Sequence, residues 1–444
     1  MNSKRSMIEG SIWKSIVFFS IPIILESLFQ QLYNTVDAIL VGRFIGKEAL
    51  SAVGSSTSVI ISLLIGFFTG LATGVTVNVS QLFGSNNIDD MHKTMGTGIT
   101  ISAFCGIVIS VIGIIFSKNV LVMMNTPPEI LDTAVTYIRI YFIGLSPTLL
   151  YNTCAGILRA TGDSKKPLFF LVISSMLNIT LDLLFIIILK LGVSGVAIAT
   201  VVSQIIGCCL IFIYLKKRFD FSFGIRKDLL KKILGIGLPA GLQSIMFSVT
   251  NIISQVNMNK FGTDYVTGWT VYTKIGIFFF TLITSYGIAL MTFVGQNYGA
   301  HKIDRIHKGV KQSLIISFCT TLLINIVYLQ FKEPLIRIFT NDRAVIEAGI
   351  NILKCIVPLY FTYVCMEVLV GALKGMGESF MPLCITGFGV CFLRVLWLII
   401  VVPQSQKFET IILSLPLGWA VTSVMIIVYY LYYCKRKLKT EVIK

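Results

Sequence analysis

Twelve apolar stretches run through this chain, each long enough to cross a bilayer as a helix. They cover roughly 12–41, 51–80, 94–117, 133–158, 168–189, 194–215, 233–259, 265–297, 312–331, 344–373, 381–402 and 410–434, and each reaches the ~20 residues that a spanning helix requires. Several exceed it, which predicts tilt or bending. The runs are continuous instead of alternating over about 10 residues, so they read as helices and not as barrel strands. Composition agrees: 55% of residues are apolar, 13% are charged and the mean hydropathy is +0.84. Soluble domains use about 25% charged residues, so this chain has too few to cover their surfaces. Disorder, a collagen-like fibre and a disulfide scaffold are excluded as well. The predicted fold class is an all-α integral membrane protein with twelve transmembrane helices.

The net charge of +16 would suit a nucleic-acid partner only if it gathered on one face. It does not. With the N-terminus inside, 24 of the 37 Lys and Arg residues fall in cytoplasmic segments, 9 in external loops and 4 in spans. The segment Lys216 to Lys232 alone carries seven, and the tail adds Lys435, Arg436, Lys437, Lys439 and Lys444. This is the positive-inside bias; it places both termini in the cytoplasm and the protein in the cell membrane, and no nucleic-acid partner is expected. The first apolar stretch outruns a signal-peptide core and lacks a small-residue cleavage site, so no cleaved leader is expected. Ten cysteines, mostly within spans, lack metal-ligand spacing and read as small apolar residues. His92, His301 and His307 fall in predicted cytoplasmic loops.

The second half repeats the first at an offset of 215 to 217 residues. Ile21-Pro22 opens the first span and Leu238-Pro239 the seventh. Gln81-Leu82-Phe83-Gly84 ends the second and Gln296-Asn297-Tyr298-Gly299 the eighth. Gly156-Ile157-Leu158-Arg159-Ala160-Thr161-Gly162-Asp163 returns as Gly371-Ala372-Leu373-Lys374-Gly375-Met376-Gly377-Glu378, with Pro167 and Pro382 following at equal distance. Six spans per half is an even number, so both halves start on the same side and form parallel repeats related by a pseudo-two-fold axis along the membrane normal. The expected organisation is an N-lobe at 1–215, a basic inter-lobe linker at 216–232 and a C-lobe at 233–444. Two bundles rocking about a cleft suit alternating access.

Apart from Lys14 and Glu347 in the first turns of their stretches, eight charged residues lie inside spans: Glu26, Asp37, Asp182, Glu367, Arg139, Lys274, Lys354 and Arg394. A charge at a helix centre costs about 2.5–3.5 kcal/mol to insert, so these should face protein, water or each other. Asp37 follows Pro22, a point where the helix can bend. A buried carboxylate is disfavoured as a bare anion, which equips it to hold a proton or a sodium ion. Asn178 and Asp182 are four apart and share a helix face, and Thr200 in the next span adds a hydroxyl. Together they read as a proton or hard-cation site. Glu26 with Gln30 and Asn34 continues a polar stripe along the first span and suits gating or substrate contact. Tyr141 and Asn152 on the fourth span are candidates to hold organic cations. Glu367 is expected to pair with Arg394 or Lys354, or else to bind substrate or ion.

Taken in order and spacing, these pieces resemble the multidrug and toxic compound extrusion (MATE) family across essentially all twelve spans. The resemblance rests on Pro22 with Asp37, the Gly/Ala-rich turn Gly42 to Gly54, the octapeptide from Gly156, and Asn178, Asp182 and Leu191 to Thr200. It implies antiport, in which cationic or amphipathic compounds leave while protons or sodium ions enter, with no cofactor, a lipid surround and a monomeric state. It also implies that Asp37, Asn178, Asp182 and Thr200 form the N-lobe cation site of the DinF-like branch. The NorM-like branch uses acids in spans 7 and 8; here neither span has one, Asp264 lies in the connecting loop, and Ser248 stands where span 7 should have its acid. A flippase for a lipid-linked oligosaccharide is the alternative implied by a distant relative with a similar fold, and Arg139, Lys274, Lys354 and Arg394 suit its diphosphate. No Walker A, H-E-x-x-H or G-x-S-x-G motif occurs, and no histidine lies in a span, so neither an ATP-driven pump nor an enzyme is expected.

Overall fold

The computed structural model describes residues 7–54, 56–405 and 407–438. The expected charges at Lys4, Arg5, Lys439 and Lys444 lie outside them. All regular structure among the described residues is helical. The first half holds α1 (Ile12–Leu40), α2 (Lys47–Gly54), α3 (Ser56–Gly84), α4 (Ile88–Met123), α5 (Pro128–Ala160), α6 (Lys165–Leu183) and α7 (Gly192–Arg218). The second holds α8 (Lys227–Met258), α9 (Thr263–Gly299), α10 (Ile303–Gln330), α11 (Lys332–Arg337), α12 (Arg343–Ile356), α13 (Phe361–Gly375), α14 (Phe380–Thr386), α15 (Leu393–Ile400), α16 (Val402–Ser405) and α17 (Phe408–Tyr433). Eleven helical segments are long and apolar enough to cross a membrane, or twelve if one bent pair is counted as a single span.

The bent pair corrects one expected span. The stretch 344–373 is not a single helix: α12 and α13 meet at 52°. Pro358 stands in the break, where its ring and missing N–H prevent the helix from continuing. Other helices run past their apolar windows because polar residues hold their ends. The Asn87 side chain accepts the backbone N–H of Asp90 at 3.2 Å, and Asp89 and Asp90 sit in the first turn of α4, where acids complement the helix dipole.

The duplication is reproduced hydrogen bond by hydrogen bond. After α5, Thr161, Gly162 and Asp163 donate their N–H groups to the carbonyls of Ile157, Arg159 and Leu158 at 3.1, 2.9 and 2.9 Å. After α13, Met376, Gly377 and Glu378 donate to Ala372, Lys374 and Leu373 at the same three distances. Gly162 and Gly377 have φ of 85° and 87°, in the left-handed region that ends helices and favours glycine. The acid that follows then caps the next helix. Asp163 accepts the N–H of Lys166 at 3.3 Å and Glu378 that of Met381 at 3.2 Å. The ends of α3 and α9 are matched likewise, with Asn86 and His301 left-handed at 57° and 55°.

By contact the chain forms two units, Ile21–Gly241 in one and Met7–Ser20 with the chain from Leu242 onward in the other. The division therefore does not fall in the basic segment 216–232. That segment is packed into the first unit: Phe219 and Phe221 are buried in a core with Met91, Met95 and Leu215. Gly224 and Arg226 donate backbone N–H groups to Thr100 and Thr97 at 3.3 and 3.4 Å. In the second unit the stretch before α1 is tied the same way. Met7 donates its N–H to the Gln296 side chain at 2.9 Å, and Arg305 donates to the carbonyls of Met7 and Gly10 at 3.0 and 3.1 Å. Both α1 and α8 are continuous across the division, which lies next to Pro22 in one and Pro239 in the other.

Candidate functional site

In the first unit a cavity of about 90 Å³ opens among α1, α5, α6 and α7. Glu26, Gln30, Tyr141, Asn152, Asn178 and Thr200, all expected from sequence, contribute to its wall. Asn34 does not; it lies exposed one turn beyond Gln30. Helical spacing explains the convergence. Glu26 and Gln30 are four apart on α1, as are Thr200 and Gln204 on α7, so each pair presents one face.

Asp37 and Asp182 are not part of that wall; they lie within electrostatic reach of one another. Asp182 is fully buried and Asp37 half-buried. The two carboxyls are within hydrogen-bond reach of each other, but no other group among the described residues donates to either oxygen of Asp182 or to Oδ1 of Asp37, and both side-chain atoms of Asn178 are unpartnered. The surroundings are apolar: Leu40, Val41, Ile186, Val193 and Val196 form the local core with Tyr137 and Tyr141. Tyr33, Tyr137 and Tyr141 lie within electrostatic reach of Asp37. The Thr200 hydroxyl donates to the Val196 carbonyl at 3.0 Å, which leaves its oxygen lone pairs free to accept or to coordinate. Two carboxyls that face only each other, beside an unpartnered amide in an apolar setting, carry an unmet requirement for positive charge and donors.

Glu26 is not part of that deficit. The Arg159 guanidinium donates to both its oxygens, at 2.9 and 3.2 Å. In the second half the corresponding contact joins Lys374 to Gln243 at 2.7 Å. Pro22 lies inside α1 without ending it. The expected pairing of Glu367 is corrected: its carboxylate accepts the Tyr363 hydroxyl at 3.2 Å and has Lys374 as its charged neighbour, not Arg394 or Lys354. Of the four span cations, Arg139, Lys274 and Lys354 are exposed and only Arg394 is buried.

The sequence reading passed over Gln204, Ser174 and Ser203, which also line the cavity. Each is uncharged and so stands out little from a span's background. The signal was their register, Gln204 one turn after Thr200 and Ser174 one turn before Asn178. Ser174 donates to the Ser203 carbonyl at 2.7 Å, stitching α6 to α7 beside the cavity.

Duplicated bundles of apolar helices, one of them holding a polar cavity, define a multi-pass membrane transporter. The profile of the MatE family matches residues 22–184 and 239–400, two stretches that begin at the repeated prolines, and the chain belongs to that family. Its members are transporters and not enzymes. Among similar proteins, a probable multidrug resistance protein of Bacillus subtilis, YoeA, is 27% identical over 98% of this chain and 97% of its own length. A probable multidrug resistance protein of Thermotoga maritima, NorM, is 25% identical over 84% and 82%. A MATE crystal structure in the bent conformation has a TM-score of 0.93 at 22% identity, covering 100% of both chains. A MOP superfamily transporter from Pyrococcus furiosus has a TM-score of 0.91 at 22% identity, covering 99% of each. The two structural likenesses bear on the fold.

Proposed function

We propose that this protein exports cationic or amphipathic organic compounds from the cell in exchange for an entering proton or sodium ion. The observation that carries the proposal is the pairing of the half-buried Asp37 with the fully buried Asp182, two carboxyls that face each other without a cation, near a polar, tyrosine-lined cavity. Such a pair needs a counter-charge, and an entering cation supplies it. Asn178 and Thr200 add amide and hydroxyl oxygens, which suit a hard cation as well as a proton. When the cation is bound, the pair no longer holds a positively charged substrate, and the substrate leaves. Because a ligand shifts a conformational balance only through its differential affinity for the two states, the coupling ion must prefer one facing of the cavity. The positive-inside bias sets the direction, with both termini cytoplasmic and the pair nearer the outer side of α1. The names of the relatives, drug resistance and export proteins, favour efflux over a lipid-linked sugar flippase.

The test uses inverted membrane vesicles containing the full chain. Ethidium movement is followed under an imposed pH gradient and, separately, under a sodium gradient. Wild type responds to one of the two, and Asp37→Asn and Asp182→Asn each lose most of that response. Undiminished gradient-driven movement in Asp37→Asn would sink the coupling role.

A further inference from the structure

The second unit contains a cavity of about 440 Å³ whose character is opposite to that of the first. Its wall is strongly aromatic. Trp269 and Tyr272 pack at 5.0 Å, and Phe280, Tyr363 and Trp419 form a mutual cluster with ring centroids 5.2 to 5.7 Å apart. Its buried charge is Arg394, which lines the cavity with only 5% of its surface exposed. One guanidinium nitrogen, Nη1, donates to the Asn251 side-chain oxygen at 3.1 Å, while Nε is buried without a partner. No acid lies within ion-pair distance of Arg394 among the described residues; Glu367 is occupied by Tyr363 and Lys374.

The duplication makes the contrast specific. At the repeat offset of 217, Asn251 corresponds to Asn34 and Ser254 to Asp37. The position that carries a carboxylate in the first half carries a hydroxyl in the second, and a guanidinium faces the cavity instead. A buried charge without a counter-charge is expensive, and here the side chain that carries it lines a space of a size that takes a small organic molecule. Aromatic walls alone would welcome an organic cation, but the guanidinium repels one. Its planar fork suits a carboxylate, and the rings suit an apolar body, which an inorganic anion would leave unused.

We infer that the C-terminal unit holds a binding site for an aromatic organic carboxylate, anchored on Arg394 and enclosed by Trp269, Tyr272, Phe280, Tyr363 and Trp419. The site is separate from the Asp37–Asp182 pair and does not depend on the coupling role given to that pair.

Calorimetric titration of the full-length protein in lipid nanodiscs tests this with three ligands of one shape: 2-naphthoate, neutral 2-naphthamide and 2-naphthylmethylammonium. Wild type should bind the carboxylate most tightly. Arg394→Gln should weaken it by about tenfold or more, the range of a charged hydrogen bond, leave the amide unchanged, and Arg394→Lys should fall between. Equal binding of all three ligands by wild type, or none, overturns the proposal. If Arg394→Gln does not fold, Ser254→Asp decides. It places an acid in the cavity and should abolish the preference for the carboxylate in favour of the ammonium; an unchanged preference would show that the carboxylate is not read by Arg394.

Discussion

At the level of single residues, the two halves keep one contact while changing its charges. Glu26 with Arg159 in the first half corresponds to Gln243 with Lys374 in the second, and both join the helix after a proline to the end of the helix three spans on. The conserved element is therefore a hydrogen bond, with a salt bridge only in one copy. Glu26→Ala strands the largely buried Arg159, with 18% of its side chain exposed, and should cost about 1–3 kcal/mol, seen as a lower thermal unfolding midpoint of the purified protein. The double change Glu26→Gln with Arg159→Lys rebuilds the second half's version and should recover most of that loss. The carboxylates at the candidate site were readable from sequence because charge is rare and costly in a span. The partner of Glu26 was not, since Arg159 lies at a predicted span end and nothing local links it to a residue 133 positions away.

Among elements, the charged positions share a feature that periodicity cannot reveal. Asp37 and Asp182 lie just before π-helical turns, Val41–Ile45 and Leu184–Ile188, and Arg394 lies just after another at Gly387–Phe392. A π turn leaves backbone groups out of the regular ladder and is common at functional positions. The turns at 41–45 and 184–188 also touch each other, which fixes the ends of α1 and α6 near the two carboxylates. Apolar runs locate such helices but say nothing about where the winding widens. Helix approach was also hidden. A Cβ on Gly371 would lie 2.6 Å from the Gly287 carbonyl oxygen, so α9 and α13 meet backbone to backbone, the small-residue contact favoured in membranes. Gly371→Ala should destabilise by about 1–3 kcal/mol through overpacking, read as a lowered unfolding midpoint. Gly235→Ala, whose Cβ meets nothing within 4 Å, serves as the comparison.

For the molecule as a whole, number and order of spans were legible, because insertion into lipid demands long apolar runs and the repeat supplied two readings of each landmark. The exception, the bend at Pro358, needed the backbone itself. Orientation follows from charge and is open to direct measurement. In a variant lacking the ten native cysteines, a cysteine at Lys190 should react with an impermeant maleimide in intact cells. A cysteine at Arg226 should react only after permeabilisation; the opposite pattern would invert the topology. The boundary between units was not legible in the sequence, since α1 and α8 are each a single apolar run, yet both are divided between units. That division has a consequence for biosynthesis. The stretch Met7–Ser20 is synthesised well before the residues that hold it, Gln296 and Arg305 among them, which follow nearly 300 positions later. At about 5–20 residues per second, the newborn arm waits for tens of seconds with its permanent neighbours still unmade. A chain released at the midpoint would carry this stretch without the residues that hold it.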